Sequence, residues 1–388
     1  MDAIAELMAL TPYLKVESAE DIRTPPVSAT YDTLATCPHP DDLPISTAQM
    51  PNGRRMLILK SLLTSACERN CNYCAFRAGR DVRRATFTPD TLAKAFMMLY
   101  QAGKVEGIFL SSGIAGGGLR TEDRLLDTAE ILRYKLGFRG YIHLKIMPGS
   151  DRAQVEHGMT LADRVSVNLE APNTNRLANL APQKIFLEEL LTPLRWVEEI
   201  RRTQPPHLGW NGHWPSSCTQ FVAGGSGETD LELLQTTDYL HNKLHLARVY
   251  FSGFNPIPDT PLENQPPTNP WREHRLYQAA FLLRDYGFTQ EDLPYQSSGN
   301  LPLETDPKLA WARENLSAQP LEVNSADLPD LLRIPGIGPK GARAIVNARR
   351  RNPLRRVGDL QSLGIITKRA APFILINGRQ PPVQMTLF

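Results

Sequence analysis

The sequence predicts an α/β fold, a parallel sheet of repeating strand–helix units, followed by a small all-α domain. Three observations predict it. Six short apolar, β-branched runs alternate with longer amphipathic stretches between residues 56 and 254, a polar segment follows each strand end, and from residue 325 onward the charge changes sign.

The runs are MLILKSLLT (56–64), GIFLSS (107–112), YIHLKIM (141–147), RVSVNL (164–169), TQFVA (219–223) and RVYFSGF (248–254). Stretches such as TPDTLAKAFMMLYQAG and TEDRLLDTAEILRYKLG space apolar residues three and four apart and open with Thr beside Pro or acids, as helices do. Six βα units fit a doubly wound sheet or a partial barrel equally well. Both put their sites at strand C-termini, where SSGIAGGG, PGS, EAPN, GGSGETD and NPIPDT fall. The domains read as an N-terminal extension (1–54), the α/β domain (55–288), a Pro-punctuated connector (289–324), a helical domain (325–379) and a tail (380–388).

With 388 residues, 41% hydrophobic and 22% charged, the chain is long enough for one large domain and one small one. The start MDAIAELM has no basic leader region, and no apolar run reaches the roughly 18 residues of a spanning helix. No membrane partner and a cytoplasmic address are therefore expected. From residue 325 eleven basic residues face three acids, a balance of +8, which leaves −6 for the preceding residues of a chain whose net charge is +2. A tail opposite in sign to its body suggests a module for a polyanion.

Five cysteines are too few and too unevenly placed for a disulfide framework, since Cys67, Cys71 and Cys74 crowd one loop while Cys37 and Cys218 stand alone. CERNCNYC wraps three thiolates around one centre. A cubane takes four ligands, so three leave one iron open, whereas structural zinc usually arrives as paired half-sites and no second CxxC or HxxxH follows. The motif resembles the CxxxCxΦC signature of radical S-adenosylmethionine enzymes, with Tyr73 in the aromatic slot. The resemblance implies a partial (β/α)6 TIM-like barrel in which Cys67, Cys71 and Cys74 hold a 4Fe-4S cluster, S-adenosyl-L-methionine binds the open iron and an electron donor reduces the cluster.

It also implies cofactor contacts. Ser112 and Gly113 in SSGIAGGG are similar to the segment that receives the methionyl amino group, although the more usual GGE string is absent. Ser166, Asn168 and Glu170 alternate with Val165, Val167 and Leu169 and resemble the ribose-contacting strand; a solvated edge face gives the same alternation. GGSGE (224–228) is similar to the glycine-rich motif near the adenine. Arg77, Arg80, Arg83 and Arg84 read either as a funnel for a phosphodiester or as a solvated face. Lys145 reads as surface, or as a residue that reaches a carboxylate or phosphate, and Cys218 as a buried structural thiol in preference to a hydrogen-atom donor.

In LLRIPGIGPKGARAIVNARR (331–350) two helices flank a turn on Gly336 and Gly338, with Lys340 and Arg343 beside the second helix's free N–H groups. This resembles the helix-hairpin-helix motif, which holds DNA phosphates without reading bases; VGDLQSLGIITKRAAPFI (357–374) resembles a degenerate second copy. Gln384 to Phe388, QMTLF, resembles a bacterial sliding-clamp peptide. Over residues 45–378 the motifs together resemble bacterial radical S-adenosylmethionine proteins assigned to DNA modification or repair. The resemblance implies radical modification of a nucleotide in DNA; RNA modification, and a non-catalytic DNA-binding adaptor with a structural or redox-sensing cluster, are the alternatives.

Overall fold

The computed structural model describes residues 3–14, 43–49 and 53–382. Cys37 and the tail peptide Gln384 to Phe388 lie outside them. Packing divides the chain into two compact units, Met1–Glu228 with Tyr239–Glu273, and Thr229–Asp238 with His274–Phe388.

In the first unit all six predicted runs become parallel strands: β2 (Arg55–Leu62), β3 (Gly107–Ser111), β4 (Tyr141–Lys145), β5 (Arg164–Ser166), β6 (Ser216–Ala223) and β7 (Arg248–Gly253). They pair strictly in chain order, with registers such as Leu59↔Ile108, Lys145↔Ser166 and Cys218↔Arg248. This order decides what periodicity left open. A doubly wound sheet reverses direction at a switch point, whereas strands added one after another on a single side make a barrel progression. Among the described residues β7 does not pair back onto the first strands, so the barrel is partial, as predicted.

One strand was not foreseen. β1 (Ile45–Gln49), inside the N-terminal extension, pairs antiparallel with β2 and covers the edge that an open barrel leaves bare. The preceding helix α1 (Ala3–Leu14) sends Glu6 to Arg83 at 3.0 Å. Helices α2 (Pro89–Gln101), α3 (Gly118–Glu130), α4 (Arg152–Leu161), α5 (Thr174–Leu180), α6 (Thr192–Thr203), α7 (Asp230–Leu244) and α8 (Pro270–Asp285) follow the strands. Their starts are encoded locally. Thr88 caps α2 by accepting from Thr91 N–H at 3.1 Å, and Asp151 with Gln154 forms a reciprocal capping box on α4. The predicted helix opening at Thr121 instead opens at Gly118, within the glycine run.

In the second unit α9 (Pro307–Asn315), α10 (Leu328–Arg333), α11 (Pro339–Arg349), α12 (Val357–Ser362) and α13 (Thr367–Ala370) enclose a core that includes Val323, Leu331, Ile337, Ile345 and Leu360. The all-α expectation gains one addition, a two-residue parallel pair of β8 (Leu321–Glu322) and β9 (Ile374–Leu375).

Candidate functional site

The three cysteines lie on the loop after β2 and line one cavity of about 1220 Å³, counted to its open mouth. Its other walls come from the C-terminal ends of the strands: Leu62, Ser111, Lys145, Gln220, Val222 and Ser252 all face it. Of the residues predicted for cofactor contact, Tyr73, Ser112, Gly113, Asn168 and Glu170 also line it. Ser166 does not. It is buried on β5, a strand that ends there instead of running to Leu169 as predicted. Beyond it the ladder is interrupted where Leu169 N–H donates to the Thr219 hydroxyl at 3.1 Å, and Glu170, with a positive φ of 64°, rejoins the sheet as an isolated bridge to Phe221.

Burial raises the Cys71 thiol pKa, and burial followed by the charge of Cys71 pushes Cys74 up to about 12. Two desolvated thiols, with the half-buried Cys67 beside them, form a donor set suited to a metal centre, which supplies the missing positive charge. Backbone N–H groups already face the sulfurs, from Ile114 to Cys67 at 3.5 Å and from Phe76 to Cys74 at 3.4 Å. Among the described residues no three His, Cys, Asp or Glu side chains converge at single-ion spacing, these cysteines included.

Gly113 has a steric reason to be glycine, because a Cβ there would fall on the Ala66 carbonyl oxygen of the cysteine loop. Its N–H donates to Thr64 O at 2.7 Å, which holds the segment after β3 against that loop. Glu68 of the loop accepts from Gly116 N–H at 3.1 Å and Gly117 N–H at 3.2 Å.

Sequence reasoning missed Lys184. Its ammonium donates to Glu170 at 2.9 Å in a buried ion pair at the cavity wall. Burial opposes both charges, but Lys184, and after it Lys145, outweighs burial and holds Glu170 below the usual carboxylate range; Glu170 likewise keeps Lys184 above its ordinary value. The Tyr73 hydroxyl bears on the same carboxylate, and its pKa rises well above normal through burial and then that charge. Lys145 lines the cavity and acts on Glu170, the carboxylate alternative and not the surface one.

Two expectations are corrected. GGSGE does not line the cavity. Its loop closes on itself, with Glu228 accepting from Gly224 N–H, from Ser226 N–H at 3.1 Å and from Ser226 Oγ at 2.6 Å, and pairing with Arg272 at 3.4 Å. Arg77, Arg80 and Arg84 form neither a funnel nor a solvated face. Their guanidiniums turn onto backbone carbonyls of the cysteine loop: Arg77 to Asn70 at 3.2 Å, Arg80 to Ala75 at 2.6 Å, and Arg84 to Ser65 and Phe76, both at 2.8 Å. Only Arg83 remains exposed, on Glu6. Cys218 is buried as expected, its sulfur 3.7 Å from His143 Nε2.

In the second unit Gly336 has φ 84°, and a Cβ there would meet Ile366 O at 2.5 Å, so the hairpin requires glycine. Gly338 caps α11, on which Lys340 and Arg343 are exposed. Lys308 holds the turn from inside, donating to Ile337 O at 2.6 Å.

Residues 317–371 match the helix-hairpin-helix motif model. A search of curated proteins finds no match. Among solved structures, a methylornithine synthase is similar at 16% identity and TM-score 0.46, over 58% of this chain and 61% of that one. The hydrogenase maturase HydG from Carboxydothermus hydrogenoformans gives 15% and 0.46, over 58% and 51%. A radical SAM methyltransferase from Sphaerobacter thermophilus gives 15% and 0.43, over 72% and 85%. The chain thus spans less than two thirds of the first two, and its barrel rests on its own strand order. No helix among the described residues is long and apolar enough to cross a membrane. The C-terminal unit therefore carries a helix-hairpin-helix motif, and the solved structures similar to the chain include a radical S-adenosylmethionine enzyme.

Proposed function

We propose that the chain is a radical S-adenosylmethionine enzyme that modifies or repairs a nucleotide in DNA, with a 4Fe-4S cluster on Cys67, Cys71 and Cys74. One observation carries the reading: the three thiols open into the cavity at the C-terminal ends of the strands, beside Tyr73, Ser112, Gly113, Asn168 and Glu170. Once bound, the cluster and S-adenosyl-L-methionine supply a 5′-deoxyadenosyl radical, with the electron coming from an external donor.

The chain's own residues then have distinct tasks. Lys184 keeps Glu170 ionised and fixed, so that its carboxylate is available to ribose hydroxyls. Contact with that carboxylate also holds Tyr73 in place, and the resemblance puts the tyrosine ring against adenine. Ile114, Met147, Phe254 and Ile257 give the cavity apolar lining that keeps water from a reactive intermediate. Exposed Lys340 and Arg343, at the start of α11 beside Gly336 and Gly338, supply phosphate contacts in the helical domain.

The test is anaerobic reconstitution followed by reduction in the presence of S-adenosyl-L-methionine. The reading expects 5′-deoxyadenosine from the native chain and none from Cys71→Ser; no 5′-deoxyadenosine from the iron-loaded native chain contradicts it. Competition between duplex DNA and RNA for binding separates the two nucleic acids, since phosphate contacts alone do not.

A further inference from the structure

The cavity contains polar side chains that the cluster and its cofactor leave without a task. Ser111, Gln220, Ser252 and Asn255 bring neutral hydrogen-bonding groups to it, and Met147, Phe254 and Ile257 bring apolar surface. Two of the polar atoms are deeply buried and have no hydrogen-bond partner among the described residues: Ser111 Oγ, in a residue 1% exposed, and Gln220 Oε1, in a residue 6% exposed. Buried polar atoms are almost always bonded, so such a pair beside a cavity points to a ligand that completes them. Below them the barrel has a floor. Cys218 sits two residues before Gln220 on the same face of β6, and His143, against Cys218, packs edge-on to Phe109 with ring centroids 4.6 Å apart.

Of the cations that line the cavity, Lys184 and Lys145 both act on Glu170, and Arg69 pairs with Glu189 at 2.6 Å. What the remaining groups suit is a neutral ring with apolar faces and a hydrogen-bonding edge.

We infer that this part of the cavity is a pocket for a single nucleobase swung out of its strand, with its edge bonded by Gln220 and Ser111 and its faces against Met147, Phe254 and Ile257. The inference rests on the nucleic-acid reading above and sharpens it, naming the heterocycle rather than the phosphate as the recognised part. A base stacked in a duplex cannot reach residues recessed inside a barrel, so extrusion is required.

The test measures binding of the four deoxynucleosides and the four ribonucleosides to the reconstituted full chain by equilibrium dialysis or saturation-transfer NMR. One base should bind in preference to the other three, and the deoxy or ribo form preferred identifies the nucleic acid. Gln220→Leu should weaken that base about tenfold or more, since it leaves the base edge without its partner. Ser111→Ala should weaken it less, and it decides the matter if Gln220→Leu fails to load iron. Binding of none, equal binding of all, or binding unchanged in iron-loaded variants overturns the pocket. The two readings fail separately: 5′-deoxyadenosine without base selectivity removes the pocket and keeps the radical enzyme, and base selectivity without 5′-deoxyadenosine does the reverse.

Discussion

The cysteine loop and the C-terminal hairpin both carry several arginines, yet the two regions use them in opposite directions. Around the cysteines Arg77, Arg80 and Arg84 turn inward onto backbone carbonyls. On the hairpin unit Arg343, Arg350, Arg351, Arg355 and Arg356 stand exposed. The cysteine loop has no helix or sheet to occupy its carbonyls, so guanidiniums, with five donors each, take that role. The hairpin unit needs less of it, from Arg349 to Val323 O and Ala326 O and from Lys308 to Ile337 O, and leaves those five arginines at its surface. The same residue type is scaffold in one place and binding surface in the other.

Removing an inward arginine should have the largest effect. Arg84 alone serves the carbonyls of Ser65, Phe76, Arg77 and Arg80. Arg84→Ala leaves them short of donors and should cost on the order of 3 kcal/mol of barrel stability, measured by urea unfolding, with a fall in bound iron and no change in nucleic-acid affinity. A loss below about 0.5 kcal/mol, the range of an ordinary surface substitution, would erase the contrast.

The hairpin has its own inward cation, and pH exposes it. Burial, and after it Arg369, lowers the Lys308 pKa from 10.5 to about 7. The unfolded chain therefore binds the extra proton between about pH 7 and pH 10.5, and hairpin stability should rise across that window by at most about 1.4 kcal/mol per pH unit. Hydrogen exchange of hairpin amides, corrected for intrinsic rates, should show the rise in the native chain and a flat profile in Lys308→Met. A profile that falls with pH would reverse the sign.

The outward residues should have the smallest effect on stability. Lys340→Gln and Arg343→Gln should each reduce the salt slope of duplex binding by about 0.9, with unfolding changed by less than about 0.5 kcal/mol. A change in stability without a change in slope would make them scaffold as well.

Sequence periodicity revealed the six parallel strands because buried strands show as apolar, β-branched runs. It missed β1 because Ile45–Gln49 is a mixed polar segment that becomes a strand only by covering an edge. The three cysteines were legible from spacing alone. Lys184 was not, since it lies fourteen residues beyond Glu170 and belongs to the site only through a fold in the chain. Ser166 was misplaced because alternation gives the face of a strand and not the depth: Ser166 pairs with Cys218, two residues before the cavity-lining Gln220, while Asn168 and Glu170 reach the cavity. The direction of the arginines was illegible for a general reason: charge counts record sign and position, and carry nothing about where a long side chain turns.

The central claim is that the cysteine trio leaves one iron of a cubane without a protein ligand. Mössbauer and EPR spectra of anaerobically reconstituted, ⁵⁷Fe-labelled chain, taken with and without S-adenosyl-L-methionine, test it most directly. A 4Fe-4S signal in which one iron site shifts when the sulfonium compound is added is expected. A zinc-loaded chain, or a cluster whose spectra do not respond, would contradict it.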